Sequence, residues 1–163
     1  MGMRLLIALL LICTMPVLAN DSTRLYHPSA NARKDLAAAR AQAKAQKKHV
    51  LIQVGGNWCV WCYRFNAFTS ADTTIRALLR DNYVVYHLNY SKENKNLDLL
   101  AELGYPQRFG FPVLLVLDAD GKRLHTQDSG QLEKGNGYDR EKVISFLRGW
   151  SPAAFDPVFY KEE

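Results

Sequence analysis

The sequence predicts an α/β domain in which helices sandwich a central mixed β-sheet. Segments with helical and strand patterns alternate along the chain, and two successive strands precede a final helix, which is the order that builds such a sheet. The 163 residues are 48% hydrophobic and 23% charged, as expected for one soluble domain. The formal net charge of +5 is spread along the chain without a block of like charges, which argues against nucleic-acid binding.

The N-terminus has the pattern of a secretory signal peptide over residues 1–19. Arg4 precedes an unbroken apolar run, residues 5–11, and a cleavage site is predicted after Ala19. The run is shorter than the ~20 residues that span a bilayer, which disfavours a transmembrane anchor. Cys13 comes too early for a lipoprotein signal. We therefore expect a periplasmic or secreted protein without a stable membrane span.

The expected mature domain, residues 20–163, begins with a basic helix. In residues 31–48 apolar side chains recur at helical spacing, and many other positions carry Lys, Arg or Gln. The thin apolar stripe consists of Ala32, Leu36, Ala39 and Ala43. The basic surface is either a solvated face or a docking surface for an acidic partner or a membrane.

A buried strand and a cysteine-bearing helix come next. Residues 50–54 are a short run rich in β-branched side chains, as in a buried parallel strand. Gly55-Gly56-Asn57 ends the strand, and a helix is predicted to begin near Cys59.

The later elements complete the alternation. The patterns predict helices over residues 73–80, 96–103 and 140–150, strands over residues 83–88 and 113–117, and a short strand near Leu124. Asp118-Ala119-Asp120-Gly121 lacks the other ligands of a calcium site, so we predict a hairpin turn. The glycine-containing stretch 129–138 is expected to be a mobile loop. The tail with Phe155, Phe159 and Tyr160 either folds back on the sheet or binds a partner.

Cys59 and Cys62 are predicted to form a redox-active pair. Their spacing puts both sulfurs on one face of the first helical turn, close enough to bond. The positive end of a helix favours the thiolate and can lower a cysteine pKa from ~8.5 into the range ~3.5–7.5. We expect Cys59, nearer the helix start, to attack a partner disulfide, and Cys62 to resolve the mixed disulfide.

The residues between the cysteines bear on the direction of exchange. Val60 and Trp61 are uncharged, whereas a histidine at either position would stabilise the thiolate and produce a stronger oxidant. We therefore expect a moderately lowered cysteine pKa and a reduction potential on the reducing or intermediate side.

The segment Trp58-Cys59-Val60-Trp61-Cys62, placed after a strand and a glycine loop, resembles the thioredoxin superfamily. It is most similar to secreted or periplasmic thioredoxin-like proteins with a W-C-x-x-C motif, and the resemblance covers about residues 33–150. A second match is Phe111-Pro112, directly before a predicted strand. The resemblance implies a thioredoxin-like fold with a cis Pro112 facing the cysteines and a Phe111 backbone free to pair with an extended substrate. The residues implied to shape or support this groove are Trp58, Trp61, Phe111 and Pro112.

Two positions depart from the thioredoxin pattern. Thioredoxins often bury an aspartate six residues before the first cysteine, where this chain has Gln53, and often place a lysine on the neighbouring strand, where it has His87. Glutamine cannot take a proton from Cys62. His87, with an unperturbed pKa of ~6.5, is either a proton shuttle or a strand residue with a satisfied hydrogen bond.

Other functions fit the cysteines less well. Structural zinc needs four ligands, and the four histidines lie far apart in sequence without a second paired motif. Covalent haem needs a histidine directly after the second cysteine, where this chain has Tyr63. A binding or chaperone-like module with a non-catalytic disulfide remains the alternative, although such a short loop gains little stability from a cross-link.

The sequence therefore predicts a thiol-disulfide oxidoreductase that exchanges disulfides with protein substrates through Cys59 and Cys62. A redox partner must recharge the pair, and no small-molecule cofactor or metal is implied. We expect a monomer.

Overall fold

The computed structural model describes residues 24–161, and the predicted signal peptide lies outside them. The helices are α1 (Ala32–Gln46), α2 (Val60–Ala71), α3 (Thr73–Asn82), α4 (Leu97–Glu102) and α5 (Arg140–Gly149). The strands are β1 (His49–Gly55), β2 (Tyr83–Asn89), β3 (Val113–Leu117), β4 (Arg123–Asp128), β5 (Glu133–Lys134) and β6 (Gly137–Tyr138). Within residues 24–161, no helix has the length and apolar character needed to cross a bilayer.

The main sheet is mixed, as predicted, with the strand order β2-β1-β3-β4. Strand β1 pairs in parallel with β2 and antiparallel with β3, and β3 pairs antiparallel with β4. All seven residues of β1 are buried, because helices cover both faces of the sheet around it. The last residue of β1, Gly55, leads directly into residues 56–59, called here the cysteine loop, so the site is attached to a fully buried strand.

The alternation of side chains along β1 and β3 divides the interior into two layers. Val50, Ile52 and Val54 face one layer with α1 and α4, together with Val113, Leu115 and Leu117. The other layer contains Leu51, Leu114 and Val116, with side chains of α2, α3 and α5. Gln53 follows Leu51 on the second face, which turns its amide toward α2.

Helix α1 buries the predicted stripe of Ala32, Leu36, Ala39 and Ala43. Asn31 caps its N-terminus by accepting a hydrogen bond from the Lys34 amide. Part of its basic surface pairs with acidic side chains of the same chain: Arg33 contacts Glu102 at 2.6 Å, and Lys44 contacts Asp120 at 2.8 Å. These exposed pairs support a solvated face at these positions and contribute little to stability.

The turn between β3 and β4 is the predicted hairpin connection. The Asp118 carboxylate accepts hydrogen bonds from the backbone amides of Asp120 and Lys122, and Gly121 has a φ of +91°. The carboxylate is therefore occupied by the turn itself, as an aspartate at the start of a turn commonly is.

Residues 129–138, predicted to be a mobile loop, contain regular structure. They form a short 3-10 helix (Ser129–Leu132) followed by the hairpin β5–β6. Tyr138, at the end of this segment, is buried among aromatic rings of α2, with its ring 5.0 Å from that of Phe65 and 5.7 Å from that of Trp61. The packing of the Tyr138 side chain fixes the segment against α2, a long-range contact that the local composition does not indicate.

Only part of the aromatic tail folds back on the protein. Phe155 lies edge-on to His49, at 5.6 Å between ring centres, so this part folds back beside the sheet. Phe159 and Tyr160 remain exposed on a short 3-10 helix, Pro157–Tyr160.

Candidate functional site

The cysteine pair lies where β1 passes into α2. Cys59 is the N-cap residue of α2, with an extended backbone (φ −91°, ψ 97°), and the helix begins one residue later, at Val60. Its sulfur accepts a hydrogen bond from the backbone amide of Cys62 at 3.2 Å. An N-cap acceptor uses one of the unpaired amides at the positive end of the helix, so this position stabilises negative charge on Cys59.

Cys59 and Cys62 form a disulfide, with an S–S distance of 2.11 Å and a Cα–Cα distance of 5.3 Å. Cys62 is completely buried, whereas Cys59 keeps 4% of its surface exposed. Cys59 is therefore the less enclosed of the two cysteines.

An aromatic wall flanks the disulfide. Trp58 is 58% exposed, yet its position is fixed, because its indole N–H donates to the backbone oxygen of Tyr90 at 2.8 Å. The Phe111 ring lies between these two residues, edge-on to Trp58 at 5.3 Å and stacked on Tyr90 at 4.8 Å. Phe111 also packs against the buried cluster that contains both cysteines. The wall offers apolar contact area next to the less enclosed cysteine, Cys59.

The Phe111–Pro112 peptide bond is cis, as the resemblance implied. Pro112 is buried and immediately precedes β3, the strand next to β1. This arrangement brings Phe111 to the cysteine cluster from a different part of the chain.

Trp61, between the cysteines, faces the helix side of the site. Its ring lies edge-on to Tyr138, whose hydroxyl donates to the Trp61 backbone oxygen at 3.2 Å. The guanidinium of Arg64 lies over the same ring, 4.7 Å from its centre. Trp61 thus supports the start of α2, and Arg64 is the cation nearest to its exposed face.

Two polar side chains, Tyr26 and Gln53, lie beneath the buried sulfur. The Gln53 amide donates to the Tyr26 hydroxyl at 2.8 Å and to the backbone oxygen of Cys62 at 3.2 Å. Tyr26 is completely buried in the same cluster as Cys59 and Cys62. Burial raises the pKa of Tyr26 far above its ordinary value, so this phenol stays protonated.

Asn57 holds Tyr26 in place from the cysteine loop. Its side-chain oxygen accepts from the Tyr26 backbone amide at 3.2 Å, and its side-chain nitrogen donates to the Tyr26 backbone oxygen at 2.8 Å. The Tyr63 hydroxyl donates to the same Asn57 oxygen at 2.9 Å. Residues 25–27, called here the strap, are thereby fastened to the loop that precedes the disulfide.

His87 reaches this cluster through Tyr26. It pairs in register with Gln53 across β1 and β2, and its ring lies edge-on to that of Tyr26 at 5.5 Å between centres. Burial, followed by the neighbouring His27, lowers the pKa of His87 below its ordinary value. The imidazole is therefore predominantly neutral at pH 7.

The segment that carries this site matches a known protein family. Residues 31–119, which include β1, the cysteine pair and Pro112, match the family described as thioredoxin-like. The chain belongs to the thioredoxin-like family.

Curated relatives of this thioredoxin-like chain include proteins named thiol:disulfide interchange protein DsbD. The protein from Salmonella typhi is 32% identical over 84 residues, which are 51% of this chain and 14% of the relative. The protein from Escherichia coli strain K12 is 25% identical over 113 residues, which are 69% of this chain and 19% of the relative. The chain thus spans less than a fifth of the length of these relatives.

Solved structures agree on the thioredoxin-like fold. A disulphide isomerase from Xylella fastidiosa Temecula1 superposes with a TM-score of 0.66 at 25% identity, covering 76% of this chain and 93% of that one. The oxidised C-terminal domain of DsbD from Neisseria meningitidis superposes with a TM-score of 0.52 at 19% identity, covering 73% and 96% of the two chains. The second likeness concerns the fold alone.

The structure brings Trp58, Trp61 and Phe111 together around Cys59 and Cys62, and it adds Tyr26, Asn57 and Tyr90, which the sequence did not single out. Tyr26 lies outside the segment that matches the thioredoxin-like family, and no local pattern relates it to a cysteine 33 positions later. Asn57 was visible only as part of a turn-forming Gly-Gly-Asn segment.

Within residues 24–161, no three His, Cys, Asp or Glu side chains are grouped so as to hold a metal ion.

Proposed function

We propose that this protein is a thiol-disulfide oxidoreductase acting on protein substrates, with Cys59 as nucleophile and Cys62 as resolving cysteine. The observation that carries the proposal is the disulfide at the N-cap of α2, in which Cys62 is fully enclosed and Cys59 keeps 4% of its surface exposed. The names of the DsbD relatives and of the Xylella isomerase support the same chemistry.

The order of attack follows from the position of Cys59, which is the N-cap of α2 and the less enclosed of the two cysteines. In the reduced protein, the Cys59 thiolate attacks a substrate disulfide, a Cys59–substrate bond forms, and the other substrate sulfur leaves with the electron pair. The Cys62 thiolate then attacks Cys59, which restores the Cys59–Cys62 bond and releases the second substrate sulfur. The substrate is reduced and the protein is oxidised, so a partner dithiol must return two electrons before the next cycle.

The surroundings of the pair suit a polypeptide substrate. Trp58 and Phe111 offer apolar surface beside Cys59, and the backbone of Phe111 is the proposed pairing edge for the substrate. An extended chain that paired with this backbone would bring its own disulfide to Cys59. Trp58, Phe111 and Pro112 are the proposed groove, with Trp61 supporting it from the helix side.

Trapping of intermediates tests the proposal. A Cys62→Ser variant keeps the nucleophile but cannot resolve, so it should accumulate mixed disulfides with a peptide that contains a disulfide, visible by mass spectrometry. A Cys59→Ser variant is the matched control and should trap none. If the Cys62→Ser variant also traps none while the wild type fails to reduce insulin with dithiothreitol, the disulfide is non-catalytic and the chain is a binding module.

A redox titration tests the direction of exchange. Because Val60 and Trp61 supply no charge between the cysteines, we propose a potential on the reducing or intermediate side. Equilibration with glutathione should give a value well below ~−120 mV, which is typical of the strongest oxidants in this class. A value near ~−120 mV would instead assign an oxidase.

The proposed compartment is the periplasm or the outside of the cell. The apolar N-terminal pattern ending at Ala19 supports it. N-terminal sequencing of the exported protein tests it, with a mature chain that begins at Asn20 as the expected result.

A further inference from the structure

We propose that the hydroxyl of Tyr26 is the hydrogen-bond donor to the Cys62 thiolate that forms whenever the Cys59–Cys62 bond is opened. This inference rests on the proposed exchange chemistry and adds a residue to it. Tyr26 is supplied by the strap, residues 25–27, which lies upstream of the segment that matches the thioredoxin-like family.

The phenol oxygen and the buried sulfur converge on one point of the backbone, Gly55. A Cβ atom added there would overlap Cys62 Sγ and would lie 2.7 Å from Tyr26 Oη. Both side chains are completely buried and belong to one cluster. The hydroxyl oxygen and the sulfur therefore lie no more than 5.0 Å apart, in a place that bulk water does not reach.

Gln53 fixes the direction of the hydroxyl proton. Its amide N–H donates to the Tyr26 oxygen and so occupies a lone pair of that oxygen. The same amide nitrogen donates to the backbone oxygen of Cys62, which sets the positions of phenol and cysteine relative to one another. The phenolic proton is left to point away from Gln53, toward the remaining neighbours of the oxygen.

Tyr26 can act as a donor throughout the working pH range. Its burial keeps it protonated well above neutral pH, so it does not compete with Cys62 for a proton. A neutral donor also adds no like charge beside a thiolate, as a carboxylate would. Tyr26 and Gln53 together provide hydrogen-bonding capacity under the pair without a titrating acid.

The opening step creates the need for such a donor. When an external thiolate attacks Cys59 Sγ, its sulfur bonds to Cys59, the Cys59–Cys62 bond breaks, and the electron pair moves to Cys62. A thiolate enclosed by protein loses most of its hydration, which is unfavourable unless a hydrogen bond replaces it. Tyr26 supplies that bond until Cys62 takes up a proton. In the resolving step, Tyr26 holds the Cys62 thiolate until its sulfur bonds to Cys59 again.

Titration of Cys62 tests the proposal directly. In a Cys59→Ala background, the thiolate absorbance near 240 nm reports the pKa of Cys62. Adding Tyr26→Phe, which removes only the hydroxyl, should raise that pKa by about one unit. Reduction of the Tyr26→Phe disulfide by dithiothreitol at neutral pH should be slower by about tenfold.

Tyr83→Phe is the matched control. The Tyr83 hydroxyl is also buried and donates to the backbone oxygen of Leu147 at 2.7 Å, but it lies in the other part of the core. The control should lose stability without moving the Cys62 pKa. If Tyr26→Phe and Tyr83→Phe both leave the pKa and the reduction rate at wild-type values, the proposal is overturned.

A measurement on the unmutated phenol covers the case in which Tyr26→Phe does not fold. In the Cys59→Ala protein, the 13Cζ resonance of Tyr26 should titrate with the same midpoint as Cys62, and that of Tyr83 should not. A Tyr26 resonance that ignores the ionisation of Cys62 refutes the proposal. These titrations need no substrate, so they separate its failure from a failure of the proposed exchange activity.

Discussion

At the scale of the residue, the site depends on close packing around Gly55. This glycine ends β1, and the space that a side chain would fill is taken by Cys62 Sγ and Tyr26 Oη. A missing Cβ is what allows a phenol and a disulfide to meet beside the central strand.

Gly55→Ala should therefore destabilise the protein and disturb the cysteine pair. We expect a loss of about 1–3 kcal/mol in the free energy of unfolding, measured with urea on the oxidised protein, because the added methyl group overpacks a buried site. The control is Gly149→Ala, where an added Cβ meets no atom within 4 Å, and it should be neutral or stabilising. Equal stabilities for Gly55→Ala and the wild type would contradict this account.

His87 is the second prediction at this scale. Its ring packs against Tyr26, and burial favours its neutral form, so we expect it to support the cluster rather than carry protons. His87→Ala should leave the pH profile of insulin reduction unchanged in shape, with a small loss of stability. A profile that loses an ionisation between pH 5 and 7 would instead assign the proton shuttle to His87.

At the scale of the element, the strap and the cysteine loop depend on each other. Asn57 binds both backbone groups of Tyr26, and Leu25 joins Tyr26 in the cysteine cluster. A segment without regular secondary structure is held here because its polar backbone groups are paired with one amide side chain.

Asn57→Ala should release the strap. Losing both hydrogen bonds to Tyr26 is expected to lower the free energy of unfolding by about 1–3 kcal/mol and to speed hydrogen exchange at the Tyr26 amide. Asn82→Ala is a suitable control, since that side chain makes one bond to its own helix, to the Leu78 oxygen. Unchanged exchange at Tyr26 in Asn57→Ala would show that the strap is held by other contacts.

At the scale of the whole molecule, an ion pair connects two helices of one layer. Asp72 caps α3 and contacts Arg140 of α5 at 2.7 Å. The backbone amide of Ile75, followed by the Arg140 guanidinium, holds the pKa of Asp72 below its ordinary value. A carboxylate with a lowered folded pKa adds stability above its unfolded pKa of ~3.9, and that stability disappears as the pH falls through the folded pKa.

Asp72→Asn should accordingly have a pH-dependent effect. The variant keeps a capping side chain but loses the charge, so its melting temperature should be a few degrees lower than that of the wild type at pH 7. The difference should shrink below pH 4 and vanish once Asp72 is protonated. A difference that stays constant from pH 7 to pH 2 would rule out the ionised carboxylate as its source.

The sequence by itself predicted most helices and strands and the cysteine pair, because each of these is indicated by a pattern within a few consecutive residues. A few positions each were enough to indicate the buried stripe of α1 and the buried strand β1. The same holds for the bonded cysteines of the W-C-x-x-C segment and the cis bond of Phe111-Pro112. For residues 129–138 the glycines predicted a loop, whereas the packing of Tyr138 against α2 stabilises a hairpin there. Only the tertiary structure placed Tyr26 beneath Cys62, because two side chains so far apart in sequence meet only when the strap is bound to Gln53 and Asn57.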